Sequence, residues 1–142
     1  MSPVAAPRPG ATATAREVRA PAASLPTLVR LDHVVVFAVC AALLVVHRAE
    51  VRWSWFVALF AAIDLVGYLP GAVLVRARGR APGWAYHLYN AAHGAPFAVA
   101  LALGYCAATG SPGWALLALP LHLCADRGLL GNGFKDLERP FE

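Results

Sequence analysis

The chain has 142 residues, of which 59% are hydrophobic and 14% are charged, whereas an ordinary soluble domain has roughly 45–50% and 25%. A domain this small has proportionally more surface to cover than a large one, so 12 Lys and Arg with 8 Asp and Glu are too few for a water-soluble fold. A nucleic-acid-binding function is excluded as well, because the basic residues are scattered and a binding groove needs them on one folded face. We therefore expect a membrane protein.

The first 27 residues differ in kind from the rest of the chain. They are rich in Ala, Thr and Arg and are interrupted by Pro3, Pro7, Pro9, Pro21 and Pro26. Such a segment buries too little apolar surface to fold, so we predict a disordered tail over 1–27. It matches a secretory signal peptide poorly, because the first apolar stretch begins only near Leu28 and no clear cleavage site follows.

Four apolar stretches come next, and each approaches the roughly 20 residues that a helix needs to span a bilayer. They lie at about 31–47, 53–75, 84–107 and 113–131. All four tryptophans lie at their ends, where amphipathic rings favour the headgroup layer. We predict an all-α fold, a bundle of four transmembrane helices over 28–137, followed by a short C-terminal tail over 138–142.

The distribution of cations predicts the orientation of this bundle. Most of them lie in the N-terminal tail, the second loop and the C-terminal side, namely Arg8, Arg16, Arg19, Arg30, Arg76, Arg78, Arg80, Arg127, Lys135 and Arg139. The opposite side carries only Arg48 and Arg52. Because short loops rich in Lys and Arg are retained in the cytoplasm, we expect a multi-pass protein of the cell membrane with both termini cytoplasmic.

Three charged residues interrupt the apolar stretches: Asp64, Asp126 and Arg127. Membrane insertion of such a residue at a helix centre costs about 2.5 to 3.5 kcal/mol. Charges inside a membrane therefore face the protein interior and mark functional sites. We expect all three to point into the bundle. Arg127 either pairs with Asp126 or extends its head to the cytoplasmic surface.

Helical spacing adds polar partners to these charges and sorts them into one stripe on each of three helices. The stripes are Asp64 with Tyr68, then Tyr86 with Asn90 and His93, then His122 with Asp126. At about 1.5 Å per residue they overlap in depth in the cytoplasmic half of the bundle. We predict that they form one polar cluster there, although Pro70 can end the second helix early and move Asp64 toward the interface.

The other histidines, cysteines and glycines have simpler interpretations. His33, His47 and His87 lie near the predicted membrane interfaces, and we expect them to be ordinary hydrogen-bonded or solvated residues. The cysteines lie in different helices without C-x-x-C spacing, so we expect them to be packing residues rather than a zinc or redox site. The spacing of Gly67 and Gly71 allows close helix packing.

The polar motifs resemble those of a family of small bacterial four-helix membrane proteins that is known as a domain of unknown function. The resemblance covers about 31–137 and rests on Asp64-Leu65-Val66-Gly67-Tyr68-Leu69, Tyr89-Asn90-Ala91-Ala92-His93 and His122-Leu123-Cys124-Ala125-Asp126-Arg127. This chain departs from the family at Ile63, where members tend to have Pro, and at Asn132, where they have Tyr. The resemblance implies the four-helix fold and singles out the same polar residues, but it implies no activity.

The first functional hypothesis is an acid–base enzyme of the isomerase or cyclase type that acts on a lipid or isoprenoid substrate. Its catalytic residues would be Asp64, Asp126, His93 and His122, because burial favours a protonated carboxyl that donates protons and an imidazole is the matching base. Tyr68, Tyr86, Tyr89, Asn90 and Arg127 would bind the substrate, with the ring faces stabilising a developing cation.

Two other hypotheses use the same residues. His93, His122, Asp64 and Asp126 form an N/O ligand set that suits iron, zinc or manganese; the chain lacks a Glu-x-x-His motif, and we assign neither a metal nor a cofactor. Alternatively, the protein is a non-enzymatic accessory or structural membrane protein whose polar network only specifies packing, with membrane lipids as partners and a homo-oligomer compatible with the pattern. A Walker loop and a G-x-S-x-G elbow are absent from the sequence.

Overall fold

The computed structural model describes residues 27–141, and all regular secondary structure in this range is helical. The α-helices are α1 (Thr27–Val46), α2 (Trp53–Gly67), α3 (Leu69–Arg78), α4 (Gly83–Ala92), α5 (Ala95–Thr109) and α6 (Ala118–Cys124). A 3₁₀ turn, Trp114–Leu117, precedes α6, and a π-helical segment, Ala125–Leu130, follows it. The predicted all-α class is confirmed, whereas the predicted tail lies outside the described residues except for Thr27, which begins α1.

Two of the predicted helices are each divided into a bent pair. Pro70 lies in the first turn of α3 and Pro96 in the first turn of α5. A proline has no N–H to donate, and its ring clashes with the carbonyl group four residues earlier, so a helix cannot continue straight through it. The bend is 43° between α2 and α3 and 58° between α4 and α5.

One described helix, α1, is by itself long and apolar enough to cross a membrane, with a mean hydropathy of 2.2. The pairs α2–α3 and α4–α5 pass the same test when each pair is counted as one span, so residues 27–141 contain between one and three candidate spans. The fourth apolar stretch is not among them, because it is divided into the 3₁₀ turn, the short α6 and the π-helical segment.

Two small clusters of buried side chains hold the helices together. The larger one joins α2 to α5 and α6 and includes Ile63, which is fully buried, with Tyr105 and Leu119. The smaller one surrounds Phe141 with residues of α4, among them Tyr86 and Tyr89. Because Ile63 directly precedes Asp64 in the chain, the larger cluster also fixes the part of α2 that carries this carboxylate.

Gly67 and Gly71 each admit a close neighbour, which confirms their predicted role in packing. A Cβ atom at Gly67 would lie 2.7 Å from the Cβ of Ala92 and 3.0 Å from ring atoms of His93. A Cβ atom at Gly71 would overlap the ring of Phe141. Gly67 therefore sets the distance between α2 and the end of α4, and Gly71 admits the C-terminal segment.

Candidate functional site

Four polar side chains meet where α2, α4, α6 and the π-helical segment come together. Nε2 of His93 lies 3.4 Å from Oδ1 of Asp64 and 3.3 Å from Oδ2 of Asp126. Nε2 of His122 lies 3.6 Å from each of the same two oxygen atoms. Each imidazole therefore faces both carboxylates, and we call these four residues the His–Asp centre.

Burial differs strongly between the members of the His–Asp centre. His93 and His122 are each 4% exposed, whereas the side chain of Asp126 is 18% exposed and that of Asp64 is 53% exposed. Asp64 therefore faces its predicted partners but is not enclosed in the interior, which is the shift that an early end of the second helix at Pro70 allows. It lies in the last turn of α2, just before the bend at Pro70, and this early end of the helix leaves its carboxylate at the open side of the centre.

Three buried nitrogen atoms of the centre have no hydrogen-bond partner among the described residues: Nε2 of His93 and both ring nitrogens of His122. The distances from the two Nε2 atoms to the carboxylate oxygens, 3.3 to 3.6 Å, exceed the usual N–H···O range of about 2.7–3.2 Å. Buried polar groups are hydrogen-bonded in the large majority of cases. The centre is thus an unsatisfied polar site inside an otherwise apolar contact between helices.

Local contacts hold the two histidine rings in place. Nδ1 of His93 donates a hydrogen bond to the carbonyl oxygen of Tyr89 at 2.9 Å, and the ring stacks on that of Tyr89 with 3.9 Å between centroids. The ring of His122 contacts the ring of Phe60 edge to face, with 4.7 Å between centroids. Both rings therefore present Nε2 to the carboxylates through contacts that leave this atom unused.

Arg127 does not form the predicted pair with Asp126 within residues 27–141. Its guanidinium donates a hydrogen bond to the carbonyl oxygen of His93 at 2.7 Å and lies 5.0 Å from the ring centroid of Phe134. Arg127 thus fixes the backbone at the break between α4 and α5, next to His93.

The π-helical segment carries Asp126, and π-bulges occur frequently at functional sites. Its wide turn is closed by the N–H of Asn132, which donates to the carbonyl oxygen of Asp126 at 2.8 Å. The side chain of Asn132 lies against the same residue, with Nδ2 3.5 Å from Oδ1 of Asp126. Asn132 was not among the predicted site residues.

Three members of the His–Asp centre, Asp64, His93 and Asp126, line a polar cleft of about 230 Å³. The cleft is lined by Asp64, Tyr68, Tyr89, His93, Asp126, Asn132 and Lys135. A larger, mostly apolar groove of about 650 Å³ follows α3 and is lined by Tyr68, Leu69, Ala72, Val73, Val75, Arg76 and Phe141. Tyr68 belongs to both, so the polar cleft and the apolar groove adjoin at this residue.

The C-terminal segment, residues 132–141, folds back over α4. Asn90 holds it at Lys135, because Nδ2 donates to the carbonyl oxygen of Lys135 at 2.9 Å and the N–H of Lys135 donates to Oδ1 at 2.7 Å. The hydroxyl group of Tyr86 donates to the carbonyl oxygen of Arg139 at 2.7 Å. Tyr86 and Asn90, predicted to bind substrate, therefore contact this segment.

Phe141 anchors the end of the same segment and is 4% exposed. Its ring meets that of Tyr86 edge to face at 5.1 Å and stacks on that of Tyr68 at 5.9 Å. Sequence reasoning did not identify this contact. The sequence holds no signal for it, because Phe141 and Gly71 are neighbours in space but distant in the chain.

Two of the three rings predicted to stabilise a cation, those of Tyr68 and Tyr89, face a cation of the same chain. Nζ of Lys135 lies 4.7 Å from the ring centroid of Tyr89, 4.9 Å from that of Phe141 and 5.7 Å from that of Tyr68. These distances are within the range of cation–π attraction. The ammonium group therefore lies at the edge of the polar cleft.

Comparison of the chain with protein-family models, with curated proteins and with solved structures finds no match. The resemblance to the four-helix family stays an expectation. Because a fold alone implies no activity, the geometry and chemistry of the site are the guide to function.

Proposed function

We propose that this protein is a multi-pass membrane protein whose His–Asp centre performs acid–base chemistry on a lipid or isoprenoid substrate. The observation that carries this proposal is the junction at Tyr68 between an apolar groove and a polar cleft that is lined by His93, whose Nε2 has no hydrogen-bond partner among the described residues. An amphiphile with its reacting group in the cleft would extend its apolar chain along α3.

The proposed membrane arrangement has four crossings: α1, the pair α2–α3, the pair α4–α5, and the stretch 113–131. Support comes from large apolar side chains that face outward, such as Leu103, which is 66% exposed. The end of α3 carries Arg76 and Arg78, and the bias of such cations toward the cytoplasm supports cytoplasmic termini and a site in the inner half of the membrane.

The proposed chemistry gives each member of the His–Asp centre a role. Asp64 meets the substrate, because it is the member that is exposed in the cleft. An isomerisation requires one group that donates a proton to the substrate and another that removes one, with no other reactant. The two carboxylates and the imidazoles between them, 3.3 to 3.6 Å apart, supply both groups, and positioned acid–base groups contribute about 10² to 10⁴ in rate.

Incubation of the purified protein with a cell lipid extract in buffered D₂O tests this proposal, since a proton-transfer enzyme leaves deuterium in its product even when the product has the same atoms as the substrate. Extracts incubated with and without the protein are compared by mass spectrometry and chromatography. We expect one lipid species to gain deuterium or change retention only when the protein is present.

Matched variants connect this readout to the site. Asp64→Asn and Asp126→Asn should abolish the change while the protein remains inserted, whereas Asp32→Asn, at an exposed carboxylate on α1, should leave it intact. Full activity of both site variants would contradict the proposal. Loss of expression or assembly in these variants, without any lipid change in the wild type, would favour a network that only specifies packing.

A further inference from the structure

We propose that the His–Asp centre binds one divalent transition-metal ion, with His93, His122 and Asp64 as its ligands. This inference concerns the same side chains as the proposed function but does not depend on the proposed reaction. Imidazole ligands suit zinc and iron, whereas Mg²⁺ and Ca²⁺ prefer sites built from oxygen alone. The ion is therefore of the Zn²⁺ or Fe²⁺ class.

The distances in the centre are those of a coordination shell. The ligand atoms of Asp64, His93 and His122 all lie within 4.8 Å of one another. Tetrahedral ligands at about 2.0–2.2 Å from a metal lie about 3.3–3.6 Å from each other. Oδ1 of Asp64 lies 3.4 Å from Nε2 of His93 and 3.6 Å from Nε2 of His122, and these separations match such edges and are long for direct hydrogen bonds.

The hydrogen bond of His93 to the backbone gives its ring the state that a metal requires. A carbonyl oxygen accepts only, so Nδ1 carries the hydrogen that bonds to Tyr89. In the neutral ring Nε2 then has a lone pair, and this lone pair faces two carboxylates that cannot donate to it. A cation between them removes the conflict. Metal-bound histidines are typically oriented by such a bond from the other ring nitrogen.

His122 supplies an independent observation. It is 4% exposed, and neither of its ring nitrogens has a hydrogen-bond partner among the described residues. One ion placed between the two rings would satisfy Nε2 of both histidines at once. The charges also balance, because the carboxylates of Asp64 and Asp126 neutralise a doubly charged ion, and a neutral site costs less in apolar surroundings.

Metal loading would change how the centre acts on a substrate. With Nε2 of both histidines occupied, the imidazoles no longer accept protons, and the ion acts as a Lewis acid. The metal site and the proposed reaction can therefore fail separately. Metal binding without a lipid product would contradict the proposed reaction only. A lipid product from chelator-treated, metal-free protein would show that the reaction does not need the metal.

The test uses the full chain, purified in detergent micelles and dialysed against a chelator. Calorimetric titration with Zn²⁺ should show one ion bound per chain, and Co²⁺ should give the intense visible absorption of a tetrahedral site. His93→Gln and His122→Gln should each weaken Zn²⁺ binding by about 100-fold or more, the upper end of what even an outer-shell change costs. His87→Gln, at an exposed ring on the same helix α4, is the matched control and should bind as the wild type does.

Thermal unfolding separates a lost ligand from a lost fold. Zn²⁺ should raise the Tm of the wild type and of His87→Gln, because an ion that binds only the folded state stabilises it, and should not raise the Tm of His122→Gln. Absence of Zn²⁺ binding by the wild type, or equal binding by both site variants, overturns the proposal. If neither site variant folds, the wild-type Co²⁺ spectrum decides, and the spectrum of the hydrated ion counts against a site.

Discussion

The same types of side chain form two clusters in this protein, one near each end of α2. At the start of α2, His47, Glu50 and Trp114 form what we call the loop clamp. Nδ1 of His47 bonds to Oε1 of Glu50 at 2.9 Å, Trp114 donates from Nε1 to Oε2 at 3.1 Å, and the two rings stack at 3.6 Å. At the other end lies the His–Asp centre, where histidines also face carboxylates but at longer distances.

The difference between the clusters lies in burial and pairing rather than in residue type. Glu50 is exposed and accepts two hydrogen bonds at ordinary lengths, so the loop clamp is complete as it stands. The histidines of the His–Asp centre are buried, and three of their nitrogens have no partner within the described part of the chain. The loop clamp has its hydrogen bonds formed and joins two loops. The buried His–Asp centre has nitrogen atoms without partners and therefore has room for a ligand.

The largest expected effect is on activity, and it should differ between the two clusters. His122→Ala should lower the proposed lipid conversion by about 10² to 10⁴, the usual contribution of an acid–base group. His47→Ala should leave the rate unchanged, because the loop clamp lies outside the cleft. Deuterium incorporation into a lipid extract by each purified variant in D₂O measures the rates, and equal losses in both variants would contradict this difference between the clusters.

A smaller effect should follow from filling the space that brings His93 into the centre. Gly67→Val should destabilise the protein by about 1–3 kcal/mol, the usual cost of overpacking, because its Cβ would meet Ala92 and His93. It should also weaken Zn²⁺ binding. Gly104→Ala is the control, since its Cβ would have no neighbour within 4 Å, and it should be neutral or stabilising.

The contacts that hold the C-terminal segment should give a graded loss. Asn90→Ala removes two hydrogen bonds to the backbone of Lys135 and Tyr86→Phe removes one to that of Arg139. At about 1 kcal/mol each, we expect roughly 2 and 1 kcal/mol less protection of residues 132–141. Hydrogen exchange followed by mass spectrometry measures this protection, and a uniform change along the chain would show that the effect is not local.

The smallest effect belongs to the loop clamp. The hydrogen bonds from His47 and then Trp114 lower the pKa of Glu50 below its ordinary value of 4.5. A lowered carboxyl pKa stabilises the fold fully above the ordinary value, and the contribution is lost as the pH falls through the lowered pKa. Because Glu50 is fully exposed, Glu50→Gln should only slightly flatten the acid side of a plot of Tm against pH. An unchanged profile would show that the clamp contributes nothing.

The candidate site could be predicted only in part. Asp64, His93, His122 and Asp126 were identified because polar residues within apolar stretches need partners, and these four do meet. Pro70 indicated that Asp64 could lie nearer the surface, but the extent of its exposure and the contact of Arg127 with the backbone of His93 could not be predicted, because both depend on the angle of a proline bend. Periodicity indicates which residues share a face, but it does not give the angle between two helices.

The helical class, the apolar stretches and the identity of the polar residues follow from the order of residues alone, because composition and the spacing of side chains along one helix are local properties. What those residues face depends on how the helices pack. Gly67 brings His93 close to α2, the π-helical segment turns Asp126 toward both imidazoles, and the C-terminal segment returns across α4 to line the cleft. Each of these contacts joins residues that are distant in the chain, so it depends on packing that no single stretch of sequence contains.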